Sequence, residues 1–557
     1  MNHTLATSAL RMAYGITLWS LCACGASTSP TGDDARNTAG PASSPATDHS
    51  RGPQAEAPTT SADSTGERGP AEPRRTNIAA RALTVSNPRV LEELDLRAVS
   101  KLEFTLHPND TATRLAAGLP PPPEDACGAL DLWALAERAP ALTHLTISGC
   151  GDRLRAGFGA LGDRIQVLRI SDLQVDPVLA GRLAQLPSLV ELSLSRFTIE
   201  NHLAVSLAFG AASFSAVTLQ EAPSHAIQML RSVSPKVHQL QLEGPWVTPD
   251  TLRDLSILHR VRTLSLIGTG VTNAGLTNVQ RLKSLEAIEL EEESINDLSP
   301  IYLRELPLTS LTCRCEKLGD LGARHLAKLS SLQRLTIEGS RISPDGIRSL
   351  AKLVGLAELA LTVEAIDSAA IDSIATLPAL EHLKIVSGEP KGGALTGLAD
   401  ATKLRSLTLR ITELSDALIP TINRLQNLET LDLEGTSISD RGLSRLAALP
   451  KIRRLNLSGT RVSRSGFRSI GALSALERLD LSDTDVVDDA IRALAPLQNL
   501  RVLNLRRTLV TSEILEVLST MSSLAELDTR HTAIPSSDVV ARLPKLRQGI
   551  PRPGGAK

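Results

Sequence analysis

The residues of this 557-residue chain that could do chemistry are scattered along it, and a few recur at a fixed interval. A catalytic constellation needs a nucleophile, a base and an orienting group that converge. None of the 11 histidines sits in an HExxH or GxSxG arrangement, and no glycine-rich phosphate loop follows a strand and opens a helix. Cys127, Cys150, Cys313 and Cys315 lack the spaced CxxC doublets of a zinc site. What recurs is Asp432, Asn456, Asp480, Asn504 and Asp528, each 24 residues after the last. Arg454 and Arg478 precede members of this series by two residues, and Glu434, Arg506 and Arg530 follow members by two. That mixture of donors and acceptors suits polar recognition of a partner and not bond cleavage. It forms one surface only if a periodic scaffold holds it.

The scaffold is legible. Pro307, Ser331, Gly355, Ala379, Lys403, Asn427, Lys451, Ala475, Asn499 and Ser523 open units 24 residues apart. Steps of 23 to 25 residues continue backward to Ser284, Arg260, Lys236, Ser213, Ser188, Arg164 and Ala141, which makes 17 units. In the unit opening at Asn427, Leu431 and Leu433 alternate with polar residues, which predicts a strand with one buried face. Leu443, Leu446 and Leu449 then recur at helical spacing. Ser439 lies at the boundary, with Thr272, Ser343, Asp367, Ser415, Ser463 and Thr511 in the matching position, where a short oxygen-bearing side chain can satisfy the free N–H groups that begin a helix. Each unit therefore reads as strand, turn, helix and return. A composition of 42% apolar but only 2% aromatic residues fits an aliphatic core stacked in repeated layers.

These units resemble the leucine-rich-repeat family, in the 24-residue form L-x-x-L-x-L-x-x-T-x-I, over residues 141–546. The resemblance implies an α/β solenoid, a curved horseshoe with parallel strands on the concave side and helices on the convex side. Curvature follows because strands stack about 4.8 Å apart while helices need about 8–10 Å. The Thr column (Thr269, Thr436, Thr460, Thr484, Thr508 and Thr532) is expected to bond backbone groups of adjacent coils; Glu316 and Gly388 interrupt it. Gly388–Gly393, which includes Pro390, is expected to replace the first helical turn of its unit with a loop. Cys313 takes a core leucine position, which suits a small buried hydrophobe. A leucine-rich-repeat effector with a cysteine-dependent ubiquitin-ligase domain would need a large further helical region, and no F-box helices precede the repeats.

On the concave face, Asp432, Arg454, Arg478, Asp480, Arg506 and Asp528 become candidate partner-binding residues. The alternative is that Leu-Asp-Leu and Leu-Asn-Leu are the family's ordinary solvated strand, with no ligand. Calcium is not expected, because Asp residues two strands apart are about 10 Å apart and calcium needs oxygens at about 2.3–2.6 Å. No metal or other cofactor is implied. Trp246, in the turn Glu243-Gly-Pro-Trp246, is either an exposed contact residue or packed on Pro245. Glu289, Glu291, Glu292 and Glu293 read as a solvated acidic edge.

With 59 basic against 61 acidic residues, the chain lacks the basic excess of a nucleic-acid binder or a polybasic membrane surface. Membrane association would come from the N-terminus. Arg11 precedes a short apolar run, Met12 to Leu21, that suits a signal peptide and falls short of the ~20 residues that span a bilayer. Leu21-Cys22-Ala23-Cys24 resembles a bacterial lipobox, with Cys24 at the lipidated position, Leu21 at −3 and Ala23 at −1; Cys22 at −2 departs from the pattern. An ordinary cleaved secretory signal is the alternative. The expected organisation is a signal peptide over 1–23, a disordered tether over 24–77, an irregular cap over 78–140, the solenoid over 141–546 and a tail over 547–557. The tether follows from the absence of any large apolar side chain between Gly25 and Asn77. Export permits disulfides, and Cys127 with Cys150, about one repeat apart, is the candidate pair.

The expected function is non-catalytic recognition of a protein or peptide by an extracytoplasmic, membrane-tethered scaffold. A secreted effector that uses the repeats as a substrate receptor, and a structural envelope protein without a discrete ligand, are the alternatives. If Cys24 carries the lipid, mass spectrometry of the membrane fraction will find a diacylglyceryl-modified N-terminal peptide that starts there. Unchanged processing and membrane association in a Cys24→Ser variant would contradict this.

Overall fold

The computed structural model describes residues 76–77, 82–85, 94–105, 132–148, 157–391, 395–446, 449–544 and 546–548. By internal contacts the chain divides at Ala71, and every described residue belongs to the second unit. Cys24, the expected tether up to residue 75 and the pair Cys127 and Cys150 lie outside the described residues; the last two tether residues, Thr76–Asn77, form a short strand and not a disordered end.

One parallel sheet runs through this unit. From Lys101–Thr105 onward each strand pairs with its neighbours in sequence, ending with Glu526–Asp528 against Arg547–Gln548. At the start Ala82–Val85 pairs with Lys101–Thr105, while the intervening Leu94–Asp95 makes a separate two-stranded parallel sheet with Thr76–Asn77. The pairing is in register from coil to coil: Leu431 lies opposite Leu407 and Leu455, and Asp480 opposite Asn456 and Asn504. Side chains alternate between faces along a strand, so register turns every sequence position into a column that runs the length of the sheet. The leucine columns form a single aliphatic core; Leu431, Leu433, Leu455 and Leu479 are all at most 3% exposed.

The sheet has two regimes. From His144–Ser148 to Ser406–Ile411 the strands are five to ten residues long. From Thr430–Asp432 to Glu526–Asp528 each has three. The side chains of the recurring Asp and Asn residues cause the change. Each Oδ1 accepts the backbone N–H two residues on: Asp432 from Glu434 (3.0 Å), Asn456 from Ser458 (2.9 Å), Asp480 from Ser482 (2.9 Å), Asn504 from Arg506 (3.1 Å) and Asp528 from Arg530 (3.0 Å). This local bond folds the chain into an Asx turn that ends the regular strand, while backbone bonds between coils continue past it, as from Gly435 N–H to Ser458 O at 2.9 Å. Most earlier coils carry Ser, Thr or Gln in this column and run on.

The next turn needs a left-handed residue in many coils. Gly268, Gly339, Gly435 and Gly459 supply it, and Asp172, Arg196, Asp483 and Arg507 hold the same conformation with a side chain. Those four pair across adjacent coils, Arg196 with Asp172 at 2.7 Å and Arg507 with Asp483 at 3.1 Å.

The other side is built from short pieces. Some coils carry α-helices, as at Pro177–Ala184 and Ser368–Ala375; others carry only a 3-10 segment, as at Gly397–Asp400 and Ser299–Leu303. In the coil opening at Asn427 the helix is the single turn Asp440–Leu443. The loop expected at Gly388–Gly393 is different. The strand His382–Lys391 carries through Gly388 and Pro390, paired with Ala365, Ile366 and Asp367, and the shortened convex segment follows it.

Three further expectations need correction. Of the capping residues, Asp367 accepts from Ala370 N–H and Ser439 from Arg441 N–H, but Thr272, Ser343 and Ser415 make no side-chain cap. Instead Ser343, Ser439, Ser463 and Thr511 give their backbone N–H and hydroxyl to an aspartate of the preceding coil, at 2.6–2.9 Å: Asp320, Asp416, Asp440 and Asp488 respectively. The Thr hydroxyls of the C-terminal coils bond within their own coil, Thr436 to Leu433 O (2.7 Å) and Thr460 to Leu457 O (2.6 Å), because the turn brings the carbonyl three residues back within reach. Thr269 reaches the next coil, but to the Glu292 carboxylate and not to backbone. Cys313 is buried as expected, but it is also joined as a disulfide to the buried Cys315, which lies just past the strand's last residue, Arg314.

The aspartate clasps explain the glycines of the convex side. A Cβ at Gly442 would overlap the Asp416 carboxylate, and one at Gly346 would overlap Asp320. Burial pushes the Asp440 carboxyl up, but backbone N–H groups of Ser463, Arg464 and Ser465 and the Ser463 hydroxyl outweigh it and hold it below the ordinary carboxylate value. Its contribution to stability is therefore present above that ordinary value and is lost as pH falls through the lowered one. In an unobstructed helix Gly→Ala is favourable by about 0.8–1 kcal/mol. Gly442→Ala should reverse that sign and destabilise by about 1–3 kcal/mol, and Asp416→Ala in the same chain should recover part of the loss. Urea midpoints read both; a Gly442→Ala variant more stable than the parent would refute the clasp.

Candidate functional site: the solvent face of the C-terminal strands

Three outward columns make this face. Thr430, Arg454, Arg478, Val502 and Glu526 lead the strands; Asp432, Asn456, Asp480, Asn504 and Asp528 close them; Glu434, Ser458, Ser482, Arg506 and Arg530 follow. The structure brings all six candidate residues into these columns, but it uses them differently.

The aspartates serve the fold first. Asp432 receives Arg410 at 2.7 Å besides its own turn N–H. Asp480 takes the Ser482 N–H and hydroxyl on one oxygen and the Asn504 amide at 2.9 Å on the other. Asp528 is 1% exposed and faces Arg530 at 2.5 Å. Burial pushes the Asp528 carboxyl up, and the Arg530 guanidinium and N–H hold it below its ordinary value regardless.

The arginines divide as well. Arg169, Arg314, Arg410 and Arg530 each meet a carboxylate. Arg506 keeps a buried Nε that has no hydrogen-bond partner among the described residues. Arg454 and Arg478 are exposed, lie directly opposite one another on adjacent strands, and have no ion pair among the described residues. Like charges in that relation repel.

Two other candidates resolve. Trp246 is partly buried against the core and donates its indole N–H to Glu243 O at 2.8 Å, so it is a packed turn residue and not an exposed contact. The acidic edge is more structured than its sequence suggests. Glu289 accepts from Ser265 at 2.7 Å, and Glu291 pairs with Arg314 at 2.6 Å. Glu292 is buried at 4% exposure, and its carboxylate takes the Thr269 and Gly270 N–H groups at 2.7 Å each together with the Thr269 hydroxyl. Burial pushes this carboxyl up against those bonds. A run of four glutamates gives no hint that the third folds inward; the hint is its place in the turn column, where Gly268 and Gly435 sit in other coils. Among the described residues no three His, Cys, Asp or Glu side chains are grouped to hold a metal, and no helix is long and apolar enough to cross a membrane.

Stability should separate the two kinds of charge. Arg478→Gln removes a cross-strand repulsion and is expected to leave stability unchanged or raise it by about 0.2–1 kcal/mol. Asp480→Ala frees the Ser482 and Asn504 donors and should cost about 1–3 kcal/mol. Equal melting temperatures for Asp480→Ala and the parent would show that the column is not structural.

Comparisons with known proteins agree with this architecture. The family model described as a leucine-rich repeat region matches residues 240–465 and 390–551, together more than half of the chain. The mouse RP105/MD-1 complex is similar in fold, with 16% identity, a TM-score of 0.51, and coverage of 81% of this chain and 91% of that one. A leucine-rich-repeat protein of Leptospira interrogans covers 66% of this chain and 92% of its own at 16% identity and a TM-score of 0.44. The structure of TLR13 with ssRNA13 covers 82% of this chain and 79% of its own at 15% identity and a TM-score of 0.44. No curated protein matches the chain. By its in-register sheet, its repeat pattern and the family match, the chain belongs to the leucine-rich repeat proteins.

Proposed function

We propose that this chain is a non-catalytic recognition scaffold that binds a protein or peptide partner on the solvent face of its sheet, and that a lipid on Cys24 tethers it outside the cytoplasm. The observation that carries the first half is the unpartnered, exposed pair Arg454 and Arg478 on a floor whose other charges are mostly held. Strands locked by Asx turns present that floor on backbone that needs no further ordering, which lowers the entropic cost of binding. The carboxylates of Asp432, Asp480 and Asp528 shape the floor, Arg506 adds a guanidinium beside Asp528, and the two free arginines make the contact. The Leu21–Cys24 pattern and the uncharged run before it support the tether.

Affinity capture with the full-length chain, followed by titration of the captured partner, tests the reading. A single saturable partner, with the chain itself in the membrane fraction, is the expected result. No saturable partner would favour a structural envelope role, and the chain found free in the medium would favour a secreted effector.

A further inference from the structure

The two free arginines belong to a larger patch. Lys451, Arg453, Arg454, Arg478 and Arg501 are all exposed, and they crowd the N-terminal rim of three successive strands, Arg454–Asn456, Arg478–Asp480 and Val502–Asn504. Among the described residues Glu477, paired with Arg453, is the carboxylate between them; Glu429, paired with Arg405, and Glu526 border the patch on the strands before and after. Backbone bonds fix the spacing: Arg478 N–H donates to Arg453 O at 2.9 Å, and Arg501 N–H to Glu477 O at 2.8 Å. The backbones of Arg454 and Arg478 are therefore one strand step apart, about 4.8 Å, and those of Arg453 and Arg501 two steps, about 10 Å. Arg454, Arg478 and Arg501 have no side-chain partner among the described residues.

The same column shows what neutrality looks like here. Upstream it alternates in sign: Arg405 pairs with Glu381 at 3.4 Å and with Glu429 at 2.8 Å, and Arg262 with Glu286 at 3.2 Å. The alternation continues through Arg453, Glu477 and Arg501, but the neighbouring column adds Arg454 and Arg478 without a matching acid. A chain of formal charge −2 thus sets five cations around Glu477, with Glu429 and Glu526 at the two edges of the patch.

We infer that this rim is the docking site for an acidic protein segment, whose carboxylates take the Arg454, Arg478 and Arg501 guanidinium groups. The inference rests on the recognition reading above and names the chemistry of its partner. Planar guanidinium groups bind carboxylates through two parallel N–H···O bonds. An extended acidic peptide places carboxylates on one side about every 6.6 Å, two residues at about 3.3 Å each, which long arginine side chains on strands 4.8–10 Å apart can meet. A bound carboxylate also removes the repulsion between Arg454 and Arg478.

The test uses the full-length chain and a fluorescein-labelled hexaglutamate peptide, with hexaglutamine as the neutral control and a heparin hexasaccharide and a hexameric single-stranded oligonucleotide as other anions. Hexaglutamate is expected to bind saturably, hexaglutamine not to bind, and added salt to weaken binding. Arg454→Glu/Arg478→Glu should raise the hexaglutamate Kd at least tenfold without moving the urea midpoint downward, and Arg454→Gln/Arg478→Gln should act in the same direction. Hexaglutamate binding no better than hexaglutamine, or a Kd unchanged in both double variants, overturns the inference. Tighter, variant-sensitive binding of heparin or the oligonucleotide overturns it in favour of that anion. A natural partner whose capture survives both double variants overturns the rim while leaving the recognition function standing; absence of any saturable natural partner defeats the function itself, whatever hexaglutamate does.

Discussion

No coil of this protein can bury its own leucines. A strand of three residues and a turn or two of helix enclose too little apolar surface to offset the entropy of ordering about 24 residues. Each coil is stable only against its neighbours, through in-register parallel pairing that stacks leucine on leucine. That requirement explains why the interactions between coils fall into columns. A side chain's neighbours are the residues one repeat before and after it, so ion pairs such as Arg405 with Glu429 and Arg169 with Glu191 join adjacent coils.

The same constraint creates a mismatch that polar groups resolve. Strands approach to about 4.8 Å, and ordinary helices cannot follow at that distance. The convex side answers with single helical turns and 3-10 segments, whose free N–H groups need acceptors. Asp320, Asp416, Asp440 and Asp488 provide them from the preceding coil, and glycine at 346 and 442 leaves room for the carboxylate. On the sheet side the Asx column performs the complementary task. It ends each C-terminal strand after three residues and returns the chain toward the convex side, where longer strands elsewhere, such as His382–Lys391, run on beside their neighbours.

How much of this could be read beforehand depends on the distance between partners in sequence. The strand and its buried face are contained in a few residues, so Leu431 and Leu433 announced them, and the period of 24 announced the stacking. The clasps involve residues about 23 apart, and a serine before a helical pattern looks like a cap of its own helix whether or not it binds the coil before, as Ser343 and Ser463 do. The Thr column was placed correctly inside the turn, but its acceptor depends on which carbonyl the turn presents, as with Leu433 O for Thr436. Glu292 shows the limit most plainly, since its burial depends on two N–H groups left free by the previous coil at Thr269 and Gly270.

The candidate site was legible as a position and not as an energy. Alternation placed Asp432, Arg454, Arg478, Asp480, Arg506 and Asp528 on one face, which any solvated strand of this type would also do. Distinguishing fold from function needed the donor attached to each oxygen. A carboxylate that accepts its own turn N–H, as Asp480 does, is committed to the backbone and can offer a ligand little without unfolding its strand end. The Arg454 and Arg478 guanidinium groups, on residues paired across adjacent strands, are held by no side chain among the described residues, and like charges so placed repel. Sheets of this kind can place a glutamate beside an arginine, as they do at Glu191 and Glu429. Among the described residues Arg454 and Arg478 have no such partner, and that is the physical ground for the recognition proposed there.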